Sequence, residues 1–562
     1  MELINSRSEV SNINIKVKGF DDIFIDKPVD LREIAKKYQG NYQSPIVAAI
    51  VNDDLRELTY KLTQDSKVEF LDMSTEIGMD IYRRSLIFLF LKACYDVIPK
   101  CKVHVEHSLG DGLYSEIIRD EPISEDDVEK IEKRMSELVE QDIPIEKYKM
   151  PIEEALSMFK KAGWVDKVRV LKYRKSEFLN IYEIDGMKDY FYGYMLPSTG
   201  YLKWFKLKFY LPGIILKYPN RSNPTSVKKY YEQSKLSRIF RESDRWAHIL
   251  GIPDVGALND LIKSGKSAEV IRIVEALHEK KIAQIADTIS NHSNELRVIL
   301  IAGPSSSGKT TFAQRLIVQL RVNGLRPISI SLDDYFLDRD KTPLGDDGKP
   351  DFEALEAIEL RLFNQHLTKL IQGKEVLLPR YNFHTGQREY AKTPIRIEKD
   401  QPIIIEGIHG LNDRLTESIP KENKFKIYIS ALTQLNIDDH NRISTTDTRL
   451  LRRIVRDSWS RSADAKKTIN MWPSVLKGAE ENIFPYQEES DVMFNSALVY
   501  ELAVLKKYAE PLLRKVEPND RAYIKAKHLL KFLEYFEPII DEKDIPLTSI
   551  IREFIGGCCF YD

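Results

Sequence analysis

Cysteine is scarce in this chain of 562 residues: Cys94, Cys101, Cys558 and Cys559 are the whole complement, and none falls in a CxxC pair. That excludes a disulfide scaffold and a cysteine-based zinc motif, and makes reduced thiols in a cytoplasmic setting the expectation. Long hydrophobic runs are also missing. The greasiest stretch, residues 86–91, is interrupted by Lys92, whereas a bilayer span needs about twenty residues; no membrane association is expected. The opening MELINSRSEV has no basic segment leading into an apolar one, so no secretory leader is read there. Neither charge dominates, with 84 Lys plus Arg against 86 Asp plus Glu, which argues against a strongly basic nucleic-acid binder. Internal repeats and low-complexity tracts are absent too.

What is present is an ordinary globular composition, 43% hydrophobic and 30% charged, in a chain long enough for two to four domains. Residues 12–73 alternate short apolar stretches with turns and read as a small sheet carrying one helix. Residues 79–97 are helical, 102–106 strand-like, 124–162 helical and 182–216 rich in strand formers. Pro219, Asn220, Asn223 and Pro224 mark a loop before a charged helical connector that gives no chemical signal. From residue 296 onward apolar strands (298–301, 328–332, 403–405, 425–429) alternate with amphipathic helices, which predicts a parallel α/β sheet. Five segments result: 1–73, 74–217, 218–294, 295–516 and a helical tail, 517–562.

The strongest chemical signal is Gly303-Pro304-Ser305-Ser306-Ser307-Gly308-Lys309-Thr310, a GxxxxGK[ST] loop between a strand and a helix. Its backbone N–H groups and the helix N-terminus suit phosphate oxygens. Lys309 adds charge toward the β- and γ-phosphates, and Thr310 a hydroxyl for Mg²⁺. The next strand ends in Asp333-Asp334, at the sheet edge where open α/β folds bind ligands. A carboxylate there suits taking a proton from an acceptor hydroxyl, with helix capping as the plain alternative. Ile403-Ile404-Ile405-Glu406 reads as a strand delivering an acid to the metal. Arg449, Arg452, Arg453, Arg456 and Arg461 repeat at helical spacing, as a lid over a triphosphate requires.

In order, GPSSSGKTT, SLDDYF, Asp351-Phe352-Glu353, Pro379-Arg380-Tyr381-Asn382-Phe383, IIEGIHG and TRLLRRIVRD resemble the uridine kinase and phosphoribulokinase family over 296–516. That resemblance implies ATP as donor and Mg²⁺ as cofactor. The donor site would comprise Gly303, Ser305, Ser306, Ser307, Gly308, Lys309, Thr310, Thr311, Arg456 and Arg461. It assigns Asp333, Lys309 and Glu406 to catalysis, and Thr310, Glu406 and Asp333 to the metal. The substrate would meet Asp333, Glu353, Tyr381, Phe383, His384 and Arg453. Two departures stand out. The family's base-reading histidine aligns with Gly386, leaving only the displaced His384, and a second lid arginine is Ala463.

The N-terminal half is similar to a TGS module (Ala48-Ala49-Ile50-Val51-Asn52-Asp53, Asp65-Ser66-Lys67-Val68-Glu69-Phe70-Leu71). It is followed by a region resembling the second additional domain of threonyl-tRNA and alanyl-tRNA synthetases (Gly110-Asp111-Gly112-Leu113-Tyr114, Pro197-Ser198-Thr199-Gly200). The family's HxxxH and CxxxH ligands fall on Arg84, Phe88, Phe191 and Met195, which cannot replace imidazole and thiolate. Neither a catalytic metal nor editing of mischarged tRNA is expected in this half, and His104 and His107 read as surface or packing residues. The sequence therefore predicts an α/β P-loop kinase behind α+β TGS-like and synthetase-like domains. It would phosphorylate the 5′-hydroxyl of a nucleoside and associate with itself, its N-terminal half meeting RNA or a protein partner. A nucleotide-sensing or RNA-binding regulator, and a kinase for a sugar or vitamin, are the alternatives.

Overall fold

The computed structural model describes residues 13–345, 348–382, 385–398, 400–433 and 435–560. Near the N-terminus, five strands lie in the order Ile23–Ile25, Ile13–Val17, Ser66–Asp72, Ile46–Val51, Asp54–Glu57. The helix Leu31–Tyr38 turns Leu31, Ile34, Ala35 and Tyr38 inward, the three- and four-residue spacing of one helical face, and they join Ile15, Val68 and Phe70 in one core.

The helix Glu76–Val97 starts where the Thr75 side chain accepts a hydrogen bond from the Gly78 N–H. It carries the apolar run 86–91, buried on all sides. This is a core helix rather than a membrane span, and among the described residues no helix is long and apolar enough to cross a membrane. It packs with Glu125–Glu140 against the strands Lys206–Tyr210, Gly213–Lys217, Gly112–Ile118 and Lys102–Leu109. The helix expected over 124–162 is in fact two, Glu125–Glu140 and Ile152–Ala162, separated by the strand Glu146–Pro151. Asp142 adopts a left-handed φ of 47° and Pro144 has no N–H to continue a helical ladder, so the first helix stops there.

Helices Ser234–Leu250, Val255–Lys263 and Ser267–Asn291 lead to the C-terminal sheet. Its strands are β1 (Val298–Ala302), β2 (Ile328–Ser331), β3 (Ile403–Glu406), β4 (Lys424–Ser430) and β5 (Val492–Asn495). All are parallel, in the order β2-β3-β1-β4-β5. The first four were anticipated; β5 was not. β1 is wholly buried because both its faces are covered. Ile299 and Ile301 meet Ile282, Ile285, Phe312 and Leu316 on one side. Val298 and Leu300 meet Tyr335, Phe363 and Leu367 on the other. Two-sided cover explains why this strand reads as an unbroken apolar run. The carboxyl ends of β1, β2 and β3 open into one crevice.

Candidate active site

The loop after β1 must turn sharply, and its backbone is built for that. Ser306 (φ 62°) and Gly308 (φ 83°) are left-handed. At Gly303 any Cβ would stand 1.9 Å from the Ile429 carbonyl oxygen, so only glycine fits between β1 and β4. The chain then enters the helix Lys309–Val322, whose first N–H groups face back into the loop.

Three arginines of the helix Thr445–Ser460 hold the loop from outside. Arg449 Nε donates to the Ser305 carbonyl at 3.0 Å, Arg452 to the Ser306 carbonyl at 3.3 Å, and Arg453 to the Ser305 hydroxyl at 2.9 Å. Arg452 is also paired with Glu501, and Arg449 and Arg452 are almost inaccessible. These two brace the loop from beneath and do not form a lid. Arg456 donates to Asp457 at 2.7 Å. Arg461 lies 3.8 Å from the same carboxylate, with its side chain half exposed.

Lys309 lies at the centre. Its Nζ donates to the Gly303 carbonyl at 2.9 Å. Burial holds its ammonium below the ordinary lysine range, opposed by the charges of Glu406, Asp333, Glu553 and Glu353. Thr310 Oγ1 reaches Glu406 at 3.1 Å. Burial pushes the Glu406 carboxyl up to about 7, Lys309 pulling it down while Asp333 and Glu553 push further. Asp333 opens to the crevice at the end of β2; the surrounding protein raises its carboxyl, and Lys309, Arg461 and Arg456 pull it back. Glu353 is pushed up to about 7 by burial against the pull of Arg453 and Lys309. It packs against Gly478, where an added Cβ would come within 2.4 Å of its own Cβ.

The fold thus brings Lys309, Thr310, Asp333, Glu353, Glu406, Arg453, Arg456 and Arg461 around one crevice. Asp334 turns away and accepts from the Tyr381 N–H at 3.1 Å. Tyr381 is 6% exposed and packs edge-on to Phe336, so its ring is not open to the crevice. Phe383 and His384 lie outside the described residues. One participant escaped the sequence reading: Glu553, on the short helix Arg552–Ile555, accepts from the Thr311 N–H at 3.2 Å and its hydroxyl at 2.8 Å. Nothing in the local sequence around 553 signals this, because the contact is made by the tail folding back across the molecule.

A strand–loop–helix with a half-buried lysine, a threonine–glutamate pair and an acid just past the adjoining strand is a phosphate-handling arrangement. Residues 298–503 match the Phosphoribulokinase / Uridine kinase family. The N-terminal part is similar to threonine–tRNA ligases. That of Carboxydothermus hydrogenoformans is 30% identical over 185 residues, 31% of this chain and 28% of the ligase. That of Fusobacterium nucleatum subsp. nucleatum is 31% identical over 248 residues, 43% of this chain and 38% of the ligase. The chain therefore spans about a third of the length of these relatives. Among solved structures, a possible uridine kinase from Bacillus stearothermophilus is 20% identical, covering 36% of this chain and 89% of that one with a TM-score of 0.23. The D-glycerate 3-kinase of Cryptococcus neoformans var. grubii is 16% identical, covering 50% and 89%, with a TM-score of 0.22.

Proposed function

We propose that the C-terminal unit transfers the γ-phosphate of ATP, or GTP, to the 5′-hydroxyl of a nucleoside. The observation that carries this reading is the Gly303–Thr310 loop with Lys309 at its centre and Thr310 Oγ1 3.1 Å from Glu406, where the charges of four carboxylates from four places in the chain, Asp333, Glu353, Glu406 and Glu553, bear on the Lys309 ammonium. On this reading the loop amides of 303–310 hold the phosphates, and Lys309 leaves the Gly303 carbonyl to meet the β,γ-bridge. Asp333 orients the acceptor hydroxyl and takes its proton as the new P–O bond forms and the bond from the γ-phosphorus to the bridging oxygen breaks, releasing the nucleoside diphosphate. Glu353 and Arg453 hold the sugar, and Arg456 and Arg461 face the transferring group.

The donor set fits a magnesium ion: the Thr310 hydroxyl and the half-buried Glu406 carboxylate stand together, and the Glu406 carboxyl is raised despite the pull of Lys309. Mg²⁺ held there would neutralise phosphate charge.

The buried ring of Tyr381 favours a second reading, in which the acceptor is a sugar or vitamin alcohol without a stacked base. Transfer of labelled phosphate to a panel of nucleosides, free sugars and vitamin alcohols tests both. Label on a nucleoside 5′-oxygen supports the first reading, label on a sugar or vitamin alone the second, and no label on any acceptor rejects kinase activity in favour of nucleotide sensing. The N-terminal half, divided as 1–73 and 74–217 with a connector at 218–294, we assign to contact with RNA or a protein partner or to self-association.

A further inference from the structure

Away from the crevice, Glu106, His107 and Asp244 bring two carboxylate oxygens and an imidazole nitrogen within 4.8 Å of one another. Glu106 and His107 are consecutive in the strand Lys102–Leu109, where neighbours ordinarily face opposite sides. Here the register with Gly112–Ile118 steps from Val105↔Ser115 to Ser108↔Leu113. Two residues therefore oppose Tyr114 alone, a bulge that re-aims a side chain. The His107 and Tyr114 rings lie 5.2 Å apart, and Tyr114 donates to Glu116 at 2.9 Å.

Asp244 comes from the helix Ser234–Leu250, whose Phe240 stacks flat on the His107 ring at 3.6 Å and fixes its plane. His107 is 4% exposed, and among the described residues neither it nor Asp244 has a hydrogen-bond or ion-pair partner. Among the described residues Glu106 pairs with His104 alone, at 4.0 Å.

The electrostatics agree. Burial, with the charges of Asp244 and Glu116 against that of His104, pushes Glu106 up to about 8. Burial with Glu116 pushes Asp244 up to about 7. His107 is held well below its ordinary range by burial and by Arg442, so its imidazole is neutral with a free lone pair.

We propose that Glu106, His107 and Asp244 form a binding site for a divalent transition-metal ion such as Zn²⁺ or Mn²⁺. The imidazole is what separates this set from the all-oxygen sites of Mg²⁺ and Ca²⁺. The role is structural. The bulged strand already bonds to the loop that precedes the arginine helix: Val105 N–H to the Asp439 carbonyl at 2.8 Å, Asn436 to the Val105 carbonyl at 3.0 Å, and Arg442 to the Ser108 hydroxyl at 3.0 Å. An ion at this point clips the N-terminal sheet to the connector helix beside the element that carries the loop-bracing arginines.

The test uses the full chain, stripped with chelator and then given Zn²⁺ or Mn²⁺. The wild type is expected to retain about one ion per chain by elemental analysis and to melt at a higher temperature with the ion than without. Co²⁺ loading should give visible absorption bands that His107→Gln loses. Asp244→Asn should lose the ion yet melt no lower than the metal-free wild type, since it removes a carboxyl whose ionised form burial opposes and keeps the shape of the side chain. If His107→Gln fails to fold, Asp244→Asn alone carries the test. No retained metal in the wild type, or equal retention and equal melting shifts in both variants, overturns the proposal.

Discussion

The carboxylate of Glu553 accepts from both the backbone N–H and the hydroxyl of Thr311, at 3.2 and 2.8 Å. Thr311 is the third residue of the loop helix, within the first turn whose N–H groups have no intrahelical acceptor and suit a phosphate oxygen. The tail is pinned in this position: Ile550 lies over Gly308, Trp459 donates to the Phe554 carbonyl at 2.7 Å, and the Arg452 guanidinium sits 4.9 Å from the Phe554 ring. A protein carboxylate thus holds donors that a nucleotide would use.

Replacing Glu553 by Gln should therefore tighten ATP binding by about tenfold, the worth of about 1.4 kcal/mol for a charged hydrogen bond no longer in competition. Calorimetric titration of both proteins checks this. Unchanged or weaker binding in Glu553→Gln would assign the contact to tail anchoring alone.

The carboxyls of Glu406 and Glu353 stand raised from 4.5 to about 7. The folded chain then keeps protons that the unfolded chain has released between those values, so these groups make stability fall as pH climbs through that window. Glu406→Gln should melt above the wild type at pH values beyond about 7, with the gap closing toward acid. A gap that widens toward acid would reverse the sign. Binding of Mg²⁺ and nucleotide draws on the ionised acids, so it should release protons near neutral pH, seen as a binding heat that varies with buffer ionisation enthalpy.

Gly478 faces the Glu353 side chain, and a methyl there would meet its Cβ at 2.4 Å. Gly478→Ala should displace Glu353 and raise the acceptor KM about tenfold with ATP affinity unchanged, because misplacement at a positioning residue acts on the acceptor and not on the phosphate cradle. Steady-state kinetics varying each substrate in turn separates the two; a matching rise in both constants would mean general damage to the site.

The phosphate loop and β1 were legible in the sequence because β1 is covered on both faces, which compels an apolar run, and because the close approach at Gly303 and the left-handed φ at Gly308 call for glycine; β2, β3 and β4 were legible from their short apolar runs. The fifth strand, Val492–Asn495, offered four residues without a pattern. Helical spacing gathered Arg449, Arg452 and Arg453 on related faces but said nothing of what those faces meet, and two of them turned inward. Glu553 reaches Thr311 across 242 positions, beyond any local signal. His107, read as a surface or packing residue, does pack, its buried ring stacked on Phe240, but that it lies beside Glu106 and Asp244 follows from a bulge that only the pairing register reveals.

Phosphate transfer at this site depends on Asp333 taking the proton of an acceptor hydroxyl, and the most direct measurement compares Asp333→Asn with the wild type for labelled phosphate transfer and ATP affinity together. Transfer should fall by about two to four orders of magnitude while ATP binding stays within a fewfold of wild type. Transfer at the wild-type rate by Asp333→Asn would contradict it.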